Sequence, residues 1–265
     1  HQVTIVVTDN KKVPQENKNI TVKNDLNQTA SGKTDKNGEL TVPETEETER
    51  HGVYILGYPD GTFGPARSMT RSEAAAIFAR LLADKNGDTI STAANTKFTD
   101  IPAHAWYSGY VKYLNNNGVT YGKSGNTFAP DDAITRAEFA AIAARFDSNG
   151  DKTTAKFTDI ASHWAKDEIS IAYNNGWING YPDGTFRPDK NVTRAELMAM
   201  INRATGRAPK SADAFLPGMK TWIDNTADKW YYLDVQEATN SHSYTVKGSE
   251  TWTALTSDPN WSLYE

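Results

Sequence analysis

Three arginines recur in one setting: Thr70-Arg71-Ser72-Glu73, Thr135-Arg136-Ala137-Glu138 and Thr193-Arg194-Ala195-Glu196. Thr followed three residues later by Glu is a capping box, in which each side chain satisfies an orphan backbone donor of the other residue. Arg71, Arg136 and Arg194 are therefore predicted as first residues of helices. A helix start carries about half a positive charge, so a cation there costs about 0.3–1 kcal/mol where an acid would help. The same unfavourable charge placed three times wants a reason. One reason is a ligand, since exposed N–H groups beside a guanidinium suit a carboxylate or phosphate. The other is a structural pair with Asp100, Asp159 or Asp224 from a neighbouring segment. Capping already accounts for Glu73, Glu138 and Glu196.

A turn precedes each cap. Gly57-Tyr58-Pro59-Asp60-Gly61-Thr62-Phe63-Gly64-Pro65 returns almost verbatim as Gly180 to Pro188, and loosely as Gly122 to Pro130. Pro presets φ, Asp bonds the backbone and Gly accepts positive φ, so Pro-Asp-Gly is a turn with a mechanism. Tyr58 and Tyr181 flank it, and each either offers a ring face to a sugar or lies on the core. Asp60 and Asp183 are candidate sugar ligands or simply turn residues. In the middle copy Lys123, Ser124, Gly125 and Asn126 replace Tyr-Pro-Asp-Gly. That change is expected to loosen the turn and to bring a second cation near Arg136.

The arginine spacing gives a repeat of about 60 residues, and repeats of this size usually bury their apolar faces on one another. Behind the caps, apolar residues fall at helical spacing: Ala74, Ile77, Phe78, Leu81; Phe139, Ile142, Ala143, Phe146; Leu197, Met200, Ile201, Ala204. These second halves run over 53–83, 119–146 and 177–205. First halves run over 98–118, 157–176 and 222–242, each with a Phe/Trp-x-Asp, a Trp and apolar residues five and eight positions later. Trp106, Trp164 and Trp230 are thereby expected on the core face of a helix. The chain begins with a second half and ends with a first half. A closed three-fold ring, in which the last half completes the first, is the simplest account; an open array with uncapped ends is the alternative.

Residues 1–43 read differently. Val3–Thr8 and Ile20–Lys23 are β-branched strands, and Thr34–Val42 reads as a hairpin turning at Asn37-Gly38. This small β unit resembles transthyretin-like or Ig-like surface modules. Residues 44–51 read as an acidic linker, or else as a frayed edge strand, with the repeat domain at 52–265. The tail from Ser243, with Trp252 and Trp261, has no assignment.

Composition excludes several classes. A net charge of -5 argues against nucleic acid as a partner. With no cysteine there is neither disulfide nor thiolate site. No apolar run reaches the roughly 18 residues of a membrane span. The start at His1 without a signal peptide leads us to expect an excised or processed fragment. Asp84–Asp88 and Asp147–Asp151 look like the start of a calcium loop but lack its later ligands. His104 and His163 stand singly, without a second zinc ligand at helical spacing. Neither metal nor cofactor is expected, and no positioned catalytic pair is visible, so the chain is read as a non-enzyme.

Taken together, Phe-x-Asp, the Trp helix, Gly-Tyr-x-Asp-Gly-Thr-Phe-x-Pro and Thr-Arg-Ala-Glu resemble the S-layer homology family from residue 52 to about 242. The resemblance implies a mainly α, pseudo-three-fold assembly of three helix-loop-helix motifs, here with an added N-terminal β unit. It implies an extracellular place in a Gram-positive cell wall or S-layer. It also implies non-covalent binding of secondary cell-wall polysaccharide, often pyruvylated, in grooves between motifs. On that reading Arg71, Arg136, Arg194, Tyr58, Tyr181, Lys123, Asp60 and Asp183 are the candidate ligand contacts, and the fragment is expected to be monomeric. An anchoring piece of a wall-active glycoside hydrolase, or lattice assembly through protein contacts, are the other readings.

Overall fold

The computed structural model describes residues 2–23, 29–43, 49–91, 94–146, 153–207, 209–246 and 249–259. The chain divides into two compact units, His1–Thr48 and Glu49–Glu265.

In the first unit β1 (Gln2–Val6) pairs antiparallel with β4 (Glu39–Pro43), and β2 (Asn19–Lys23) with β3 (Thr29–Lys33). The turn at Asn37-Gly38 forms, with Gly38 at φ 72 and the Asp35 carboxylate accepting from the amides of Asn37 and Glu39. It is not the tip of a Thr34–Val42 hairpin, however. The strand that follows it finds its ladder on β1.

The second unit begins at residue 49 rather than 52. Glu49–His51, read as the end of a linker, form β5, which pairs with β6 (His242–Val246). β6 in turn pairs with β7 (Glu250–Leu255). The tail is thus the far side of a three-stranded sheet, with Trp252 buried in it. Residues 44–48 and Trp261 lie outside the described residues, as do 147–152, where the second calcium-like segment falls. The first such segment, Asp84–Asp88, is the end of a helix and its Gly87 cap at φ 70.

Six helices build the rest of the described unit. α1 (Arg71–Asn86), α3 (Arg136–Phe146) and α5 (Arg194–Ala204) follow the three caps. At Thr70 the cap is complete: Glu73 N–H donates to Thr70 Oγ1 at 3.2 Å and Thr70 N–H to Glu73 Oε2 at 2.9 Å. The expected apolar positions are buried, from Ile77 and Phe78 to Leu197 and Ile201, except the last of the second and third helices, Phe146 and Ala204, which are partly buried. α2 (Ser108–Asn116), α4 (Lys166–Asn174) and α6 (Tyr232–Thr239) pack on α1, α3 and α5 respectively.

The tryptophans are not on that core. Trp106, Trp164 and Trp230 are 44%, 61% and 64% exposed, whereas Val111, Leu114, Ile169, Ala172, Val235 and Ala238 are buried. Each Trp stands two residues ahead of its helix, so the five-and-eight spacing never acquires helical phase.

Backbone hydrogen bonds link the repeats head to tail. Met69 N–H donates to Val192 O, Val192 N–H to Ile134 O and Ile134 N–H to Met69 O, at 3.1, 3.0 and 2.9 Å. Each first half also grips a turn through one aspartate. Asp100 accepts from the amides of Phe128 and Ala129, Asp159 from Phe186 and Arg187, and Asp224 from Phe63 and Gly64. The second residue of each pair has positive φ: Ala129 58, Arg187 56, Gly64 71. For Ala and Arg that conformation costs roughly 1–2 kcal/mol, and the aspartate's two bonds hold it in place. The glycine opening each turn is required as well. A Cβ on Gly57, Gly122 or Gly180 would fall 2.3, 2.5 or 2.1 Å from Trp222, Phe98 or Phe157.

Candidate functional site

The three helix starts are closed by backbone. Arg71 and Ser72 N–H donate to Asp132 O and Pro130 O, Arg136 and Ala137 to Lys190 O and Pro188 O, Arg194 and Ala195 to Arg67 O and Pro65 O. Their amides are therefore not the open anion cradle that capping alone suggests.

The guanidiniums are buried too, at 5%, 6% and 4% exposure. Nε of Arg71, Arg136 and Arg194 donates to the carbonyls of Phe128, Phe186 and Phe63, at 2.8, 2.8 and 2.9 Å. Arg136 Nη2 reaches Asn179 O and Arg194 Nη2 reaches Leu56 O. Each guanidinium lies over the ring of that same phenylalanine at 4.4–4.9 Å, a cation–π contact. Burial pushes the pKa of Arg136 and Arg194 down. Asp100, Asp159 and Asp224 are occupied with turn amides, so the anticipated Arg–Asp pairs do not form. What forms is an ion pair between repeats, Arg71 Nη1 to Glu138 Oε1 at 2.7 Å.

These interactions shift the grooves by one repeat. Arg71 packs on the middle turn, Arg136 on the third and Arg194 on the first. Tyr181 lies under Arg136 at 5.1 Å and Tyr58 under Arg194 at 4.9 Å. Lys123, which replaces the tyrosine, belongs beside Arg71 and not Arg136. It pairs with Asp132, whose carbonyl caps Arg71. Nor is the middle turn loosened: Lys123 N–H donates to Thr127 O at 2.9 Å, as Tyr58 and Tyr181 do to Thr62 and Thr185.

Asp60 and Asp183 sit inside their turns. Each accepts from the amide and hydroxyl of Thr62 or Thr185. Thr185 first, and then Arg187, holds the Asp183 carboxyl down at about 2; Thr62 lowers Asp60 likewise. Lys190 donates to Tyr181 OH at 2.9 Å and pairs with Glu196 at 3.1 Å.

Around Arg71 these elements enclose a groove of about 480 Å³. Arg71 and Glu138 form its wall. Tyr121, Lys123 and Arg145 come from the second repeat, and Trp164 and Asp189 from the third. Arg145 lies over Tyr121 at 4.9 Å and pairs with Glu168 at 3.2 Å. Tyr121 is 56% and Trp164 61% exposed. Trp164, Tyr121 and Arg145 escaped sequence reasoning. The signal for Trp164 was its position ahead of a helix start; nothing in the sequence pointed to the other two.

The sequence pattern of the S-layer homology domain matches residues 49–75, 97–140 and 156–198. A cellulosome-anchoring protein of Acetivibrio thermocellus is 34% identical over 81% of this chain and 48% of its own length. S-layer protein EA1 of Bacillus anthracis is 31% identical over 63% of this chain and 19% of its own. An amylopullulanase of Thermoanaerobacterium thermosulfurigenes is 33% identical over 56% and 8%. The chain thus spans about half of the first relative and far less of the others. Among the described residues no helix is long and apolar enough to cross a membrane. Three matched segments, each holding a turn and the capped start of an arginine helix, show that the chain carries the S-layer homology domain, whose place is the cell surface and whose role is to anchor proteins to the cell wall.

Proposed function

We propose that this chain fixes a surface protein to its wall by taking an anionic wall glycan, pyruvylated or otherwise acidic, into the groove beside Arg71. The observation that carries the reading is the meeting of two exposed aromatic faces, Tyr121 and Trp164, with Lys123 and Arg145 in one groove. Ring faces cover sugar C–H surfaces, and cations hold a carboxylate or phosphate. Lys123 and Arg145 are paired with Asp132 and Glu168, but such part-exposed pairs are worth only about 0.2–1 kcal/mol, so a ligand competes for them at small cost. The buried arginine shapes the wall of the groove rather than reaching into it. Related grooves are inferred at Arg136 with Tyr181 and at Arg194 with Tyr58.

The framework we infer is a pseudo-three-fold assembly closed by the C-terminal half-unit. The cyclic bonds among Met69, Ile134 and Val192 support it, as does the grip of Asp224 on the first turn. We take the module to be monomeric and without catalysis of its own. Its match to 8% of an amylopullulanase fits an anchor shared by proteins of unlike activity.

The test is a pull-down on purified sacculi before and after removal of their secondary polysaccharide. Binding should follow the polysaccharide. Equal retention on stripped sacculi would overturn the proposal and point to protein or peptidoglycan contacts.

A further inference from the structure

Two imidazoles and two carboxylates meet where β5, β6 and β7 pack on α6. His51 and His242 are direct cross-strand partners. Glu237 comes from α6 and Glu250 from β7. All four are buried, and one ligand atom from each lies within 4.8 Å of the others. His51 Nδ1 is 2.9 Å from Glu237 Oε1 and 3.4 Å from Glu250 Oε1. His242 Nε2 is 3.4 Å from Glu237 Oε2 and 3.1 Å from Glu250 Oε1.

Two features say what belongs between them. His242 Nδ1 lies 3.0 Å from Asn240 O, and a carbonyl only accepts, so the ring hydrogen is on Nδ1. Its Nε2 lone pair then faces two carboxylate oxygens. Acceptors do not hold acceptors, and Arg207 Nη1 stands 3.9 Å from Glu237 Oε1, so a proton or a metal ion lies between that lone pair and the carboxylates. Second, the separations come near metal geometry. Four N and O ligands at about 2.0–2.2 Å around a tetrahedral ion stand about 3.3–3.6 Å apart; the four His–Glu distances are 2.9–3.4 Å, and the full set, within 4.8 Å, has only to draw in on binding.

We propose that His51, Glu237, His242 and Glu250 form a structural site for a divalent transition metal ion of the zinc class. Imidazole nitrogens beside carboxylates suit zinc rather than magnesium or calcium, which take oxygen ligands. Four protein ligands leave no open position, which is the structural rather than the catalytic arrangement. An outer shell is present: Asn240 O orients His242, Trp252 Nε1–H donates to Glu237 Oε2 at 3.1 Å, and the Trp252 ring stacks on His242 with centroids 4.0 Å apart. Bound there, the ion would clip β5, at the start of the repeat unit, to α6 and the hairpin at its end. The ligands come from residues 51 to 250, so no short motif announces them, which is why a search for helical His spacing expects no metal.

The experiment uses the full chain, stripped with chelator, desalted and titrated calorimetrically with zinc chloride. We expect one ion per chain, a raised melting temperature, and the visible d–d absorption of tetrahedral cobalt when Co²⁺ replaces zinc. Glu237→Gln and Glu250→Gln should each weaken zinc by at least about tenfold, the smallest loss typical even of outer-shell partners. His104→Ala, an exposed imidazole elsewhere, should change nothing. Failure of the wild-type chain to bind zinc stoichiometrically would overturn the site and leave protons between the imidazoles and carboxylates. Binding that survives both Gln substitutions unchanged would overturn it too.

Discussion

Arg71 Nη1 lies 2.7 Å from Glu138 Oε1, an ion pair that crosses from the first repeat to the second. The same glutamate caps its own helix, accepting from Thr135 N–H through Oε2 at 2.9 Å. One carboxylate therefore starts one helix and docks the start of another. With side-chain exposures of 5% and 13% the pair is largely removed from water. Removing one partner of a buried pair typically costs about 3–5 kcal/mol, because the other charge is stranded. Arg71→Ala should fall in that range by urea denaturation. Glu138→Gln retains a capping acceptor and should cost less. A double-mutant cycle should return a coupling well above that of the half-exposed pair Lys190–Glu196; equal couplings would mean the Arg71 pair is solvated after all.

The proposed closure of the repeats predicts equality among three distant residues. Asp100, Asp159 and Asp224 each hold two turn amides, although Asp224 acts across 160 residues of sequence. A lost charged hydrogen bond is worth about 1.5–3 kcal/mol. Asp224→Ala should destabilise the unit about as much as Asp100→Ala and Asp159→Ala, read as melting temperatures. A near-silent Asp224→Ala would show that the C-terminal half does not grip the first turn.

Much of this framework was legible in sequence because it rests on local rules. Thr70 with Glu73 specifies a cap whatever surrounds it, and Ile77 and Phe78 behind it specify a buried face. What was not legible depends on which repeat meets which. The sequence places Lys123 and Arg136 in one unit, but the chain passes each turn to the arginine of another repeat, so Lys123 serves Arg71. Trp164 shows a second limit. Counting five and eight residues forward assumes a helix already running, and α4 starts only at Lys166. The His51 cluster shows a third, since its ligands converge only through β pairing of the two ends of the unit.

Acid should weaken the third turn and cap in a defined window. The Asp183 carboxyl is held at about 2 by Thr185 and Arg187. Burial by itself would raise Glu196, but the Thr193 amide and Lys190 outweigh it and its pKa is lowered below 4.5. A folded-state pKa below the unfolded one adds stability that is complete above the unfolded value and lost as pH falls through the folded value. These contributions should thus be intact above about pH 4.5 and fade toward pH 2. Asp183→Asn and Glu196→Gln should flatten the fall in melting temperature over that interval while leaving the profile above pH 5 parallel to wild type. A wild-type curve that is flat from pH 5 to 2, or variants as steep as wild type, would remove these groups from the acid response.

The grooves should not be equal, and the unequal one is that of Arg71. It has Lys123 where the others place Tyr181 and Tyr58 under the arginine. A cation in place of a ring trades a sugar-facing surface for a charge, so this groove should depend more on the anionic group of the ligand and more on salt. Lys123 is about half exposed and its pair with Asp132 contributes little to folding, so Lys123→Ala should leave the melt nearly unchanged. Without its charge-assisted hydrogen bond to the glycan, the same variant should still bind about tenfold or more weakly. Trp164→Ala, also exposed, should reduce affinity to a similar degree by removing a stacking face, with little effect on stability. Calorimetry with an acidic wall oligosaccharide, against its neutral counterpart and at two salt concentrations, separates the two effects. The Lys123 effect should shrink with the neutral sugar and in high salt, while the Trp164 effect persists in both. If both substitutions leave affinity unchanged with a stable fold, the groove beside Arg71 is not where the glycan binds.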